Sequence, residues 1–167
     1  MTGDIRAALV LLVTEALVGQ GWLAARQQAL RQRALKAWSD QPRIEILGCA
    51  EPHEALPIFS FRVRDVEGGM IHHQLFTRLL SDVYGVQARG GCACAGSYAH
   101  RLLGLERSES DVAFAAIADG REIERPGWVR LNLSALMSDE KVDRIIAAVA
   151  ELAFDAPDYL SRYQADP

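Results

Sequence analysis

The chain has 167 residues, half of them hydrophobic, enough for one domain with a sizeable core, or one domain with an appendage. Its net charge of −4 lacks the basic excess that marks a nucleic-acid-binding face. Positive charge comes almost wholly from arginine, because Lys36 and Lys141 are the only lysines.

The apolar run 7–13 is interrupted by Thr14 and Glu15 and follows no basic leader, so it reads neither as a membrane span nor as a secretory signal. Asp4 is placed to cap a helix over 5–18, with Ile5, Leu9, Leu12 and Ala16 along one stripe. Leu11, Val13 and Leu17 widen the stripe, so this helix is expected to be buried on much of its circumference. Gly19 and Gly21 interrupt it. A second helix is expected over 22–38, with Leu23, Leu30, Ala34 and Trp38 inward and the RQQ and RQR runs solvated.

After Gln41 and Pro42 the period changes. RIEILG (43–48) and PIFSFRV (57–63) alternate as half-buried strands do, with the polar loop CAEPHEAL between them. Gly68 and Gly69 end the second strand. MIHHQLFTRLLSDVYG (70–85) returns to helical period through Ile71, Leu75, Leu79 and Val83, with Gly85 as its stop. A short strand, VQAR (86–89), leads into a glycine- and cysteine-rich loop. Residues 97–103 suit one or two helical turns. Ser108 and Asp111 resemble a capping box for a helix through Ala118. GWVRLNL (127–133) is another alternating strand, and Ser138 starts a last helix with Val142, Ile145, Ile146, Val149 and Leu152 inward. The predicted fold class is α+β: two N-terminal helices leading into a small mixed or antiparallel sheet covered by helices. Residues 1–40 form a helical connector that faces a partner, and 41–167 form the small α+β domain.

Three cysteines, Cys49, Cys92 and Cys94, make an odd set without framework spacing, which predicts free thiols in a cytoplasmic protein. Cys92 and Cys94 are closer together than the paired ligands of structural zinc, and Cys49, His53, His72, His73 and His100 are scattered over other segments. The adjacent His72 and His73 point about 100° apart on a helix. No metal site is therefore expected. A disulfide between Cys92 and Cys94 would be strained, and no phosphate-binding glycine motif or nearby lysine accompanies Gly90 and Gly91. Two readings stay open. A cysteine between Arg89 and Arg101, near a helix start, favours a thiolate nucleophile; a small buried residue filling a tight turn is the plainer alternative.

GVQARGGCACAGSYAHRLLG followed by PGWVRLNLSALMSDEKVDRIIAAV resembles the C-terminal part of class V aminotransferases, the fold-type I pyridoxal-phosphate enzymes that include cysteine desulfurases. GDIRAALVLLVTEAL and ALKAWSDQPRIEILG are similar to the segment joining that family's large domain to its small one. The resemblance implies that Arg130 holds the α-carboxylate of an amino-acid substrate, a task suited to a guanidinium's two parallel donors. The plainer alternative for Arg130 is an ion pair with a neighbouring acid. The resemblance further implies that Arg89 is a substrate-binding arginine and that Cys94 stands where desulfurases carry their nucleophile. The residues flanking Cys94, Cys92-Ala93 and Ala95-Gly96, depart from the desulfurase pattern of a histidine pair before and Met-Pro after.

The family holds pyridoxal phosphate through a lysine in a large domain, and neither Lys36 nor Lys141 stands in such surroundings. The chain is thus expected to be inactive and cofactor-free alone, as a fragment, a truncated product or half of a split enzyme. It is expected to partner a large domain and to self-associate through its first two helices, with no nucleic acid or membrane as partner. The rivals are a non-catalytic interaction module that keeps the fold, and a thiol redox protein using Cys92 and Cys94.

Overall fold

Phe59, Phe61 and Val63 alternate with Ser60, Arg62 and Arg64 along one strand, and that alternation separates the two faces of the sheet. The computed structural model describes residues 2–48, 55–91 and 97–164; Cys49, His53, Cys92 and Cys94 lie outside them. Within these residues the chain is α+β. In order come α1 (Thr2–Val13), a wide π-helical turn (Thr14–Val18), α2 (Gln20–Ser39), β1 (Ile44–Ile46), β2 (Ile58–Arg64) and β3 (Met70–Ile71). Then follow α3 (His73–Tyr84), β4 (Arg89–Gly91), α4 (Ser97–Leu103), α5 (Arg107–Ala118), β5 (Trp128–Asn132) and α6 (Asp139–Tyr159). The sheet is antiparallel, in the order β1-β2-β5-β4, with the short β3 also on β2.

One face is packed. Phe59, Phe61 and Val63 of β2, with Val129, Leu131 and Leu133 from β5 and just beyond it, meet α2, α3 and α6 in one core. The last helix presents Val142, Ile145, Ile146, Val149 and Leu152 at intervals of three and four, the spacing that lines one helical face. Trp38 fixes the end of α2. Its ring stands edge-on to Phe59 with centroids 5.0 Å apart, and its Nε1 donates to the Ile146 carbonyl at 3.1 Å. Arg26 of α2 reaches Asp139 at 2.6 Å and donates to the Met137 carbonyl at 3.0 Å, tying α2 to the start of α6. The other face is covered over only part of its area. Ala99 and Leu103 of α4 close over Trp128, with Leu47 and Leu105 beside them.

Several expectations are corrected. The first helix is not buried: Ile5, Leu9, Val10, Leu11, Leu12 and Val13 are each at least half exposed. Gly19, with φ +76°, lets the chain bend by 92° into α2, which carries α1 away from the core. Gly21 is not part of the break between the two helices, because the second already starts at Gln20 rather than at Trp22. Within the RQR run Arg31 is buried, its Nη1 donating toward the Leu56 carbonyl at 3.5 Å. The helix expected over 70–85 is divided. Met70 and Ile71 form a strand against β2, because the turn after Asp65 folds them back onto Arg64 and Val63. The helix starts only at His73 and buries His73, Phe76, Leu79 and Leu80, leaving Val83 exposed. The strand expected at 86–89 lies at Arg89–Gly91 instead. The cap of α5 is not Ser108 with Asp111; Glu106 takes the N-cap position, and its N–H donates to Glu109 at 2.8 Å. Ser138 does cap α6, accepting from the Lys141 N–H at 3.3 Å. Among the described residues no single helix is long and apolar enough to cross a membrane.

Candidate functional site

Val129 and Leu131 of β5 point into the core, so Trp128, Arg130 and Asn132 point to the other face. Arg130 pairs in register with Ser60 of β2 on one side and with Arg89 of β4 on the other. Directly opposed residues of antiparallel strands share a face, with Cβ atoms about 4.5–5.5 Å apart. Arg89, Arg130 and Ser60 therefore form one row across three strands. Ile58, Gln87, Ala88 and Asn132 complete the lining of an open cavity of about 370 Å³ around the two arginines.

The same face holds two more arginines, and these share one carboxylate. Arg62 donates to one Glu45 oxygen at 2.6 Å and Arg64 to the other at 2.7 Å. Burial by itself would raise the Glu45 carboxyl, but the hydrogen bonds and charges of Arg62 and Arg64 hold it below the usual carboxylate range. Arg62 also reaches the Leu103 carbonyl at 3.4 Å, beneath α4. The side chains of Arg89 and Arg130 have no ionic or hydrogen-bonding partner among the described residues. The ion pair that was the plainer alternative for Arg130 is absent among them. Arg89 is exposed and Arg130 half-buried.

A close approach of strand and helix fixes this edge of the sheet. A side chain at Gly90 would begin 2.7 Å from the His73 carbonyl oxygen, so β4 rests on the first turn of α3 with no room for a Cβ. With Gly90 turned toward α3, Arg89 is turned to the open face. His73 itself is buried, and burial, then the neighbouring His72, push its imidazole down to about 4. His72 Nε2 donates to the Ile123 carbonyl at 3.0 Å, and the two rings lie 4.3 Å apart between centroids. Among the described residues no group of three or more His, Cys, Asp or Glu is placed to hold a metal ion.

The structure brings together Arg89 and Arg130 of the residues singled out from sequence. Arg101 and His100 lie on exposed positions of α4, where His100 Nε2 approaches the Ser110 hydroxyl at 3.4 Å. Cys94, the candidate nucleophile, and Cys92 fall outside the described residues. Sequence reasoning missed Ser60, Ile58 and Asn132 as neighbours of the arginines. Alternation put Ser60 opposite to Phe59 and Phe61, but only the strand register sets it beside Arg130. Neither lysine lines the arginine cavity. Lys36 is exposed on α2, and Lys141 opens onto a separate cleft of about 840 Å³ beside Arg144, Glu140 and Glu151. The described residues around the arginines therefore do not fit covalent attachment of pyridoxal phosphate. No protein-family model matches the chain, and no curated protein matches it.

Proposed function

We propose that this chain is the small C-terminal domain of a class V pyridoxal-phosphate enzyme, an aminotransferase or cysteine desulfurase-like protein acting on an amino acid. Arg130, with Arg89 beside it, holds the substrate's carboxylate. The observation that carries this reading is the pair of guanidiniums on an open sheet face with no acid of their own among the described residues. A guanidinium offers two parallel donors in the plane of a carboxylate and stays charged at any physiological pH. The order of elements, two helices and then a small antiparallel sheet, agrees with the same reading.

The cofactor supplies the electron sink when bound in the complete enzyme, and a large domain carries its lysine. The contribution of this chain is to bind and orient, which lowers the barrier by fixing the reacting group in place. Cys94 is the nucleophile if the chemistry is desulfuration. The apolar α1 is then the surface that the large domain covers, or a second copy covers in its absence. The same exposed helix favours the second reading, a non-catalytic interaction module that keeps the fold.

Co-expression with a large domain encoded in frame or alongside separates the two. The enzyme reading expects the cofactor's visible absorption band and amino-acid turnover. Arg130→Ala then lowers kcat/KM by roughly 10- to 100-fold, the equivalent of lost hydrogen bonds to a charged group. No band and no turnover on mixing leave the interaction module. A visible band and turnover from the 167-residue chain alone would overturn the division of labour.

A further inference from the structure

Four arginines stand on the open face of the sheet, and Glu45 pairs with only two of them. The other two, Arg89 and Arg130, are directly opposed across neighbouring strands. Like charges in that position repel, and arginine cannot escape by losing a proton as a crowded lysine does. Nothing else among the described residues relieves the repulsion. A single carboxylate at Arg130 leaves one of the two charges uncompensated. One ligand carrying two anionic groups satisfies both forks and pays the entropy of association once.

The cavity around the pair suits such a ligand in size and lining. Its volume of about 370 Å³ lies near the lower end of the range for small-molecule sites, about 300–1,000 Å³. Ile58 and Ala88 offer apolar contact for the carbons between two charged ends, and the Asn132 amide borders the same space. Ser60 stands beyond Arg130 in the same row, outside the lining of the cavity.

We infer that the Arg89–Arg130 pair selects a dianion: an amino acid whose side chain ends in a second acidic group, in preference to one with a neutral side chain. This rests on the carboxylate-holding role given to Arg130 above and adds the substrate class. Arg130 takes one acidic group and Arg89 the other.

Calorimetric titration of the purified chain with succinate, butyrate and sulfate at matched ionic strength tests it. Succinate and butyrate are alike in length and differ by one carboxylate. The expected result is succinate bound roughly tenfold or more tighter than butyrate, as a second charge-assisted contact gives. Sulfate is expected to bind more weakly than succinate, being too small to meet both forks with separate groups. Arg89→Gln is expected to remove the succinate advantage and spare butyrate, and Arg130→Gln to weaken both acids; Arg89→Ala serves as the second variant at that position. Equal binding of the two acids, an advantage that survives both Arg89 variants, or sulfate matching succinate overturns the dianion inference. If equal binding of both acids is lost in Arg130→Gln, the carboxylate reading stands without it. If Arg130→Gln changes neither acid, or neither acid binds, both fall together.

Discussion

The imidazole Nε2 of His73 lies 2.6 Å from the point where a side chain at Gly127 would begin. The ring occupies the space above the start of β5, and the same point is 2.7 Å from the carbonyl carbon of Gly91. Helix α3, strand β4 and strand β5 thus meet with no atom to spare at the edge that carries Arg89. A methyl group here has backbone on one side and a buried ring on the other. Gly127→Ala is expected to destabilise the fold by about 1–3 kcal/mol, as overpacking does. Chemical denaturation read by tryptophan fluorescence measures it, since Trp128 is the next residue. An unchanged midpoint would show that this contact is loose.

Burial of His73 ties stability to pH. Its imidazole titrates at about 4 in the folded chain against an ordinary value of 6.5, so the unfolded chain binds more protons between those values. Stability from this group is complete above pH 6.5 and is lost as the pH falls toward 4. The full difference corresponds to about 3 kcal/mol, and solvent screening at this sheet edge lowers the expected loss to about 2 kcal/mol. It precedes the loss from Glu45, whose carboxyl is held below its ordinary value and gives way at lower pH. Denaturation midpoints between pH 7 and 4.5 are expected to fall in the wild type and to stay nearly level in His73→Asn. Parallel curves would mean that His73 is not the group responsible.

Replacing Arg89 by glutamate turns a repulsive cross-strand pair into an attractive one. Arg89→Glu is expected to raise stability at low salt by roughly 0.5–1 kcal/mol, within the range for cross-strand charge pairs. The gain should shrink in high salt, because the site is open to screening. A thermal melt at two salt concentrations reads both effects. A lower Tm at low salt would mean that the two guanidiniums do not repel.

Trp38 fills the junction of α2, β2 and α6, fully buried and hydrogen-bonded to Ile146. Trp38→Ala is expected to cost about 3–5 kcal/mol. If α2 belongs to the folded unit, the loss appears as one cooperative transition shifted to lower denaturant. A separate early transition would show α2 melting on its own while the sheet survives.

Helix α1 exposes Leu9 and Leu12 at 54% and 62%, which a helix apolar on all sides does not sustain in water without a cover. Light scattering of the chain alone is expected to give a mass above that of one copy. Leu9→Glu with Leu12→Glu is expected to restore 18.4 kDa. A monomeric wild type would leave α1 uncovered and remove the case for self-association.

Reading the sequence was most secure where one face of an element is uniformly apolar. Val142, Ile145, Ile146, Val149 and Leu152 named the buried side of α6, and PIFSFRV named the two sides of β2. It failed where a local pattern has two solutions. Ile71 fits the period of the helix that follows it, yet Asp65 bends the chain so that Met70 and Ile71 join β2. Arg31 sits in a polar run, and only the packing of α2 shows it to be buried.

The candidate site divides in the same way. The residue types, Arg89 before a glycine pair and Arg130 on a later strand, are present in the one-dimensional string. Their meeting is set by hydrogen-bonded register, which places Arg89 opposite Arg130 and Ser60 beyond it. Composition determined that positive charge on this chain would be carried by arginine, and strand alternation that the sheet would have one apolar face. Tertiary structure decided which arginines found an acid. Glu45 lies within reach of Arg62 and Arg64, and strand pairing leaves the other two facing each other. Side-chain alternation is a local property with period two, whereas the partner across a strand depends on how distant segments align.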